Sequence, residues 1–402
     1  MKNKKENKGK FVPYENLDKI GEIAVYYGFF PEKSPAVTKA DYDAIKDVLS
    51  NDFIDDESEK HDRLPLHAEE KIALLRMYQE KNMHTLPQPV MLYFKDPFKG
   101  SGSNRYADLE ILGSSGPIAE ATLIQTALMM LKEEGYKDVM VEINSIGDKD
   151  SLNKFSRELT SYYRKHINEM SVDNREIFKR DPFELLSCQD KSCIELNSKA
   201  PKSLDYLSEN ARRHLEEVLE YFESLKIPYY VNNSLLGNRK YCAETIFTII
   251  DNSKDSSKSS KILAVGMRYN NLAKRLTMKK DTQGVGISLL IKNKKKELRK
   301  SVKKLKRPIA CFVQLGLQSK LLSLQVIEKL RQVKIPLYLS LAKDKLGAQV
   351  SSTEKYATPY VIVIGKKEAV DHTAIVREND SHSQNIVPLE ELADYMKKLD
   401  KN

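Results

Sequence analysis

The stretch from Lys149 to Ile227 is mostly helical in pattern and highly charged, yet strand-like segments stand on both sides of it. KDVMVEINSIG precedes it, and ETIFTII and KILAVGMRY follow it. A helical and highly charged segment of this length is what we expect of an inserted helical subdomain. We therefore expect a sheet-based core that is interrupted by a helical insertion.

Two pairs of segments predict antiparallel hairpins. QPVMLYF is separated from ADLEILG by the turn-forming residues Lys99 to Asn104, and the loop DNSKDSSKSS joins ETIFTII to KILAVGMRY. Amphipathic spacing predicts a helix in LPLHAEEKIALLRMYQEKNMH and another from Ala119 to Tyr136, stopped by Gly135. Inside the insertion, Ser208 is the predicted N-cap of a helix that ends before Pro228.

The pattern changes after Pro308. IACFVQL, LYLSL and YVIVIG are continuous apolar runs, and helical segments lie between them. Such alternation is typical of a parallel sheet covered by helices. We expect a separate C-terminal α/β domain.

Length and composition fit a globular protein. The 402 residues predict two or three domains, with 41% hydrophobic and 31% charged residues. The net charge of +9 favours an acidic partner such as RNA or DNA. No apolar run is long enough for a membrane span or a signal peptide, so we expect a cytoplasmic protein without membrane contact.

The four cysteines indicate a reducing compartment rather than a disulfide framework. Cys188 and Cys193 lie in CQDKSC, a spacing loosely compatible with a metal site. No second Cys or His pair accompanies them nearby, so we interpret them as loop thiols and assign no metal.

Several long segments, in order, resemble the bacterial histidyl-tRNA synthetases. They include EKNMHTLPQPVMLYF, LKEEGYKDVMVEINSIGDKDS and VGMRYNNLAKRL, and the resemblance covers nearly the whole chain after Phe11. It implies a class II catalytic core on an antiparallel sheet, a helical insertion and a C-terminal anticodon-binding domain. Such enzymes are homodimers that activate histidine with ATP and Mg²⁺ and transfer it to tRNA. The predicted boundaries are a basic arm at 1–10, the core at 11–148 and 229–300, the insertion at 149–228, a basic linker at 301–307 and the anticodon-binding-like domain at 308–402.

The resemblance fails at residues that hold ATP. Adenylate formation needs cations on the phosphates, and arginine suits this because its planar fork stays charged. The arginine of the family's second motif corresponds to Lys99, with Arg105 as a possible substitute. In the third motif Gly284 and Gly286 remain as a nucleotide-binding remnant, but the arginine position falls at Asn293.

The two histidine signatures of the family are also altered. In GNRKYC, Gly237 stands at the catalytic arginine, Tyr241 matches, and Arg239 is a possible substitute. In GMRYNNL, Arg268 and Tyr269 are retained. They are candidate pocket residues, with a role in holding the strand–helix corner as the alternative.

Two carboxylates match the acids that receive the histidine substrate, Glu69 in LHAEE and Glu110 in ADLEILG. The resemblance therefore predicts a ligand pocket lined by Glu69, Glu110, Tyr241, Arg268 and Tyr269.

Lysines provide the candidate RNA contacts. A basic run before Pro308 is either such a contact or a solvated helix face, and the helix near DKLGAQVSSTEKYA carries fewer lysines than the family usually has. The candidate RNA-binding residues are Lys295, Lys296, Lys304, Lys343, Lys345 and Lys355.

Three functions remain open. The first is a synthetase-like paralogue that has lost aminoacylation and retains its dimer and RNA or ligand binding, with no cofactor assigned. The second is a divergent but active histidine–tRNA ligase, which would use ATP and Mg²⁺. The third is a regulatory subunit of the ATP phosphoribosyltransferase type.

Overall fold

The computed structural model describes residues 17–46, 68–95, 105–188, 190–253, 261–273, 276, 282–291, 308–339, 347, 349 and 358–400. Several predicted features lie outside these residues, namely the arm at 1–10, the turn around Lys99, Asn293, Lys295, Lys296, Lys304, Lys343, Lys345 and Lys355.

The first sheet of the described chain has eight strands in the order β1-β2-β3-β8-β7-β6-β4-β5. Their bounds are β1 Phe30–Pro31, β2 Val90–Lys95, β3 Arg105–Leu112, β4 Val139–Gly147, β5 Tyr229–Val231, β6 Ala243–Asp251, β7 Ile262–Arg268 and β8 Gly284–Ile291. Both predicted hairpins are confirmed, since β2 pairs with β3 and β6 with β7 in antiparallel register. Only the outermost pairs, β1 with β2 and β4 with β5, are parallel within this described sheet.

Helices cover this sheet and form the insertion. The N-terminal half contributes α1 Lys19–Tyr26, α2 Lys39–Ala44, α3 Ala68–Glu80 and α4 Ile118–Glu133. The insertion between β4 and β5 contributes α5 Lys149–Lys165, α6 Val172–Arg180, α7 Lys191–Ser198 and α8 Glu209–Leu225, and α9 Asn270–Ala273 follows β7. The predicted start of α8 is confirmed, because the Ser208 side chain accepts from the backbone N–H of Ala211. Gly135, with φ +91°, follows α4 as predicted.

The C-terminal sheet has the order β10-β9-β11-β12-β13. Its elements are β9 Ala310–Gln314, α10 Leu317–Gln332, β10 Leu337–Leu339, β11 Tyr360–Ile364, α11 Lys366–Asp371, β12 Thr373–Glu378, β13 Gln384–Pro388 and α12 Leu392–Leu399. The first three strands are parallel as predicted. Two strands that were not predicted, β12 and β13, extend the sheet in antiparallel register, so the sheet is mixed. Their connections are too short for the crossover that a parallel pair requires.

Strand β3 presents different chemistry on its two faces. Ala107, Leu109 and Ile111 join the apolar core beneath α4. Asp108 and Glu110 alternate with them and therefore point to the opposite face of the sheet. This alternation brings two carboxylates into one buried space.

Helix α10 packs the C-terminal domain against the first domain. The hydroxyl of Tyr27 donates to the carboxylate of Glu328, and the side-chain amide of Gln325 donates to the carbonyl of Ser224 over 2.8 Å. Within the described residues, no helix is both long and apolar enough to span a membrane.

Candidate functional site

The ammonium group of Lys71 lies in the interior and forms an ion pair with Glu110. Lys71 is 2% exposed and Glu110 is 1% exposed. Helix α3 places Lys71 beside Ile72 on the buried face, and β3 projects Glu110 towards it. Lys71 was not predicted as a site residue, although a lysine in the apolar stripe of an amphipathic helix is a visible signal.

Two further side chains, Tyr269 and Asp108, lie near this ammonium group. Tyr269 donates its hydroxyl to Glu110 Oε2 over 2.7 Å, and the centroid of its ring lies 5.7 Å from Lys71 Nζ. Asp108 is 3% exposed and accepts from the Ser288 hydroxyl over 2.7 Å. Carboxylates and an aromatic face are groups that bind ammonium ions. We call Lys71, Glu110, Asp108 and Tyr269 the ammonium cage.

The titration behaviour of the cage reflects an excess of carboxylates. Burial alone would lower the pKa of Lys71, but Glu110 and Asp108 raise it above its ordinary value. Burial raises the pKa of Asp108 to about 6, despite the attraction of Lys71. Burial and the proximity of Asp108 raise the pKa of Glu70 to about 9. Several acidic groups thus surround one cation, and their charge keeps Lys71 in its protonated form.

A small cavity lies beside the cage among the residues that the structure describes. A cavity of about 10 Å³ is lined in part by Ser34, Glu70, Lys71, Asp108 and Glu110. That volume is close to the minimum for one water molecule. The adjacent Glu70, rather than the predicted Glu69, lines this cavity among the described residues. Glu69 is half-buried at the start of α3.

The two retained glycines have a packing reason in this structure. A Cβ atom at Gly286 would overlap the carboxylate of Glu110, and one at Gly284 would overlap the ring of Tyr269. Both glycines therefore make room for side chains of the cage. Their presence does not require a bound nucleotide.

Arg268 belongs to a second buried cluster at the strand–helix corner. Its Nε and Nη2 atoms donate to the two oxygens of Glu120 over 2.8 and 2.6 Å, and Nη1 donates to the carbonyl of Ser114 over 2.7 Å. His214 Nε2 and the Thr245 hydroxyl each lie 2.8 Å from Glu120 Oε1. We call Arg268, Glu120, His214 and Thr245 the corner cluster.

Electrostatics make the corner cluster stable. Burial alone would raise the pKa of Glu120, but Arg268 and His214 hold it well below its ordinary value. Its members come from β7, α4, α8 and β6, so the cluster ties the insertion to the sheet. This arrangement agrees with the structural alternative for Arg268, whereas Tyr269 reaches into the ammonium cage.

The loop GNRKYC, which we predicted to correspond to the first histidine signature, is built around Gly237. Gly237 has φ +59°, and a Cβ atom there would lie 2.6 Å from Ile246 Cδ1 and 2.9 Å from Cys242 Sγ. An arginine at this position would need a different backbone and different neighbours. Tyr241, 4% exposed, packs in the core beside it.

Two arginines, Arg105 and Arg239, were predicted as possible substitutes for the family's missing arginines, and both lie away from the cage. Arg239 pairs with Asp181, and its guanidinium carbon lies 3.7 Å from the centroid of the Phe183 ring, in the helical insertion. Arg105 is five positions before Glu110 on the regular strand β3, so alternation places it on the opposite face. The structure brings Glu110 and Tyr269 together with Lys71, but not with these arginines.

Metal ligands do not converge in the described part of the chain, where no group of three His, Cys, Asp or Glu side chains is arranged to hold an ion. Cys188 and Cys193 are free thiols.

Comparison with known proteins agrees with this architecture. Residues 317–399 match the family described as anticodon binding domain. The histidine–tRNA ligase of Bacillus velezensis is 25% identical over 363 residues, covering 87% of this chain and 85% of the relative. That of Geobacillus thermodenitrificans is 26% identical over 362 residues, covering 87% and 84%.

A solved structure has the same fold. The apo histidyl-tRNA synthetase of S. aureus superimposes with a TM-score of 0.51 at 21% identity, covering 94% of this chain and 93% of that one. The chain is thus similar over most of its length to histidine–tRNA ligases and has the fold of a histidyl-tRNA synthetase, and its residues 317–399 match the anticodon binding domain family.

Proposed function

We propose that this protein is a histidyl-tRNA synthetase-like paralogue whose aminoacylation is lost or strongly impaired and which retains RNA binding. The observation that carries the proposal is the ion pair between Lys71 and Glu110. Glu110 matches an acid that receives the histidine substrate in the family. Here the ammonium group of Lys71, a side chain of the same protein, occupies that carboxylate.

A free histidine would have to displace Lys71 before it could reach Glu110. The neighbouring cavity of about 10 Å³ has no room for a second ammonium with its attached carbon. Displacement would also bring the lysine charge out of a satisfied site, which is unfavourable for a buried pair. These contacts support weak or absent histidine binding.

The resemblance also indicates that two arginines which bind phosphate in the family are replaced. Lys99 and Asn293 stand where the family has arginines. Arg239 is held by Asp181, and Arg268 is held by Glu120. Without an arginine on the developing phosphate charge, the reaction should be slower by about 10²-fold or more for each such interaction. We therefore expect no adenylate formation.

Histidine-dependent exchange between ATP and pyrophosphate tests this proposal directly. We expect exchange at the level of the blank, with purified protein whose cooperative unfolding shows that it is folded. A histidine–tRNA ligase relative assayed in parallel provides the positive control. Robust exchange that depends on histidine would reject the proposal and favour the divergent ligase.

RNA binding is proposed for the C-terminal domain, whose anticodon-binding match covers 317–399. The basic run before Pro308 is a further candidate. If it binds RNA phosphates, replacing Lys295, Lys296 and Lys304 by Gln should flatten the dependence of affinity on salt by about one unit of log–log slope for each lysine that binds a phosphate. An unchanged slope would assign the run to solvation.

We also propose a homodimer. An apolar groove of about 300 Å³ lies between β1 and β10, which are edge strands of the two sheets. Phe30, at the groove, is 40% exposed, and Leu86 is 50% exposed. Sedimentation should show a dimer that Phe30→Glu weakens, whereas Val172→Glu, at an exposed apolar residue of the insertion, should not. Equal effects would exclude the groove as the interface.

A further inference from the structure

The cage has the composition of a receptor for a primary ammonium ion. Glu110 contacts the Lys71 ammonium, Tyr269 orients Glu110 by a 2.7 Å hydrogen bond, and Asp108 adds a second carboxylate. All four side chains are at most 3% exposed. An ammonium here has exchanged water for charged and aromatic partners, as a bound ligand does.

Lys71 reaches this position through a flexible stem that starts from α3. A group held on the same chain has an effective concentration in the millimolar range or above, so it competes strongly with a free ligand. The cavity beside it is too small for both to be present.

We propose that Lys71 is a tethered ligand, and that Glu110, Asp108 and Tyr269 form a receptor for primary alkylammonium ions which this lysine keeps closed. This inference rests on the proposed function, because it explains how the histidine pocket was closed. The receptor recognises the ammonium group and an unbranched stem, rather than the imidazole of histidine. Removal of the tether should reopen it.

The test uses the full-length variant Lys71→Ala, which lacks three methylene groups and the ammonium. The n-propylammonium ion has the same heavy atoms as the missing part, and 1-propanol is its neutral counterpart. Thermal unfolding and titration calorimetry at pH 7.5 would be measured with each compound. At about 100 mM we expect n-propylammonium, but not 1-propanol, to raise the Tm of Lys71→Ala by about 3 °C or more.

Three matched variants locate the effect. Lys71→Met keeps an apolar stem in the space, so n-propylammonium should not raise its Tm. Lys71→Ala combined with Glu110→Gln lacks the main acceptor and should also show no increase. Lys154→Ala removes an exposed lysine of α5 and reports any general effect of the amine.

Equal stabilisation by 1-propanol would overturn the proposal, because the site would then be an apolar cavity. An equal increase for wild type or Lys154→Ala would also overturn it. If Lys71→Ala does not fold alone, recovery of folded protein by n-propylammonium and not by 1-propanol supports the receptor, and no recovery rejects it. Since these measurements do not involve ATP, pyrophosphate exchange by the wild type would reject the proposed function separately.

Discussion

The ammonium cage and the corner cluster use the same kinds of charged groups but balance them differently. In the corner cluster the guanidinium of Arg268 has an acceptor at Nε, Nη1 and Nη2, and Glu120 also meets His214 and Thr245. In the cage the ammonium group of Lys71 is the one cation that attracts both Glu110 and Asp108, and Glu70 lies close by.

This difference separates a structural cluster from the site that we propose is a closed binding pocket. Complete pairing across four elements stabilises the fold, because no buried charge is left without a partner. In the cage, by contrast, the carboxylates outnumber the single cation, Lys71. Such imbalance is common at functional sites, where groups are arranged for a ligand.

The largest expected effect is at the corner cluster. Arg268→Ala should lower the free energy of unfolding by about 3–5 kcal/mol, because it leaves Glu120 buried without its main partner. Lys71→Ala should lower it less, since burial already raises the pKa of Glu110 and favours its protonation. Urea unfolding at pH 7.5 measures both.

Arg213→Ala is the control for this comparison, because Arg213 pairs with Glu209 on the exposed face of α8. Its removal should change stability by less than about 0.5 kcal/mol. A destabilisation below about 1 kcal/mol for Arg268→Ala would contradict the structural role of the corner cluster.

A smaller effect is expected for Tyr269→Phe, which removes the hydrogen bond to Glu110 Oε2. A hydrogen bond to a charged group contributes about 1.5–3 kcal/mol, so the destabilisation should fall in that range. Tyr163→Phe provides the matched control, since Tyr163 donates to the neutral Oδ1 of Asn197 over 2.6 Å. It should cost about 1 kcal/mol. Equal destabilisation in urea unfolding would argue against an ionised Glu110.

An effect of the opposite sign is expected at Glu70. Glu70 has a pKa of about 9 in the folded protein and an ordinary value of 4.5, so the folded state holds this proton more tightly than the unfolded state. Its contribution therefore becomes less favourable as the pH rises from about 4.5 to about 9. Glu70→Gln should be more stable than wild type by about 1 kcal/mol or more at pH 8.5, and equally stable near pH 4.

Unfolding curves across this pH range check the prediction. Glu216→Gln, at an exposed carboxylate of α8, should leave the pH dependence unchanged. A Glu70→Gln curve parallel to that of wild type would mean that Glu70 is ionised in the folded protein. Glu120 acts in the other direction, since its pKa is lowered and its contribution is lost as the pH falls below about 4.5.

Local patterns predicted much of the fold but less of the site. The Ser208 cap, the Gly135 stop and the two hairpins follow from nearby residues, and each is confirmed. Strands β12 and β13 were not assigned, because short half-exposed strands carry little pattern. Among the site residues, Glu110 and Tyr269 were identified through the resemblance, whereas Lys71, Asp108 and Glu70 were not.

The sequence by itself determined many of the helices and strands, because these depend on residue identity and local spacing. Tertiary structure alone decided which charges meet. Lys71 and Glu110 are 39 positions apart in the chain, one on a helix and the other on a strand. Their pairing depends on how α3 packs on one face of β3, and the low polarity of that interior makes the pairing decisive.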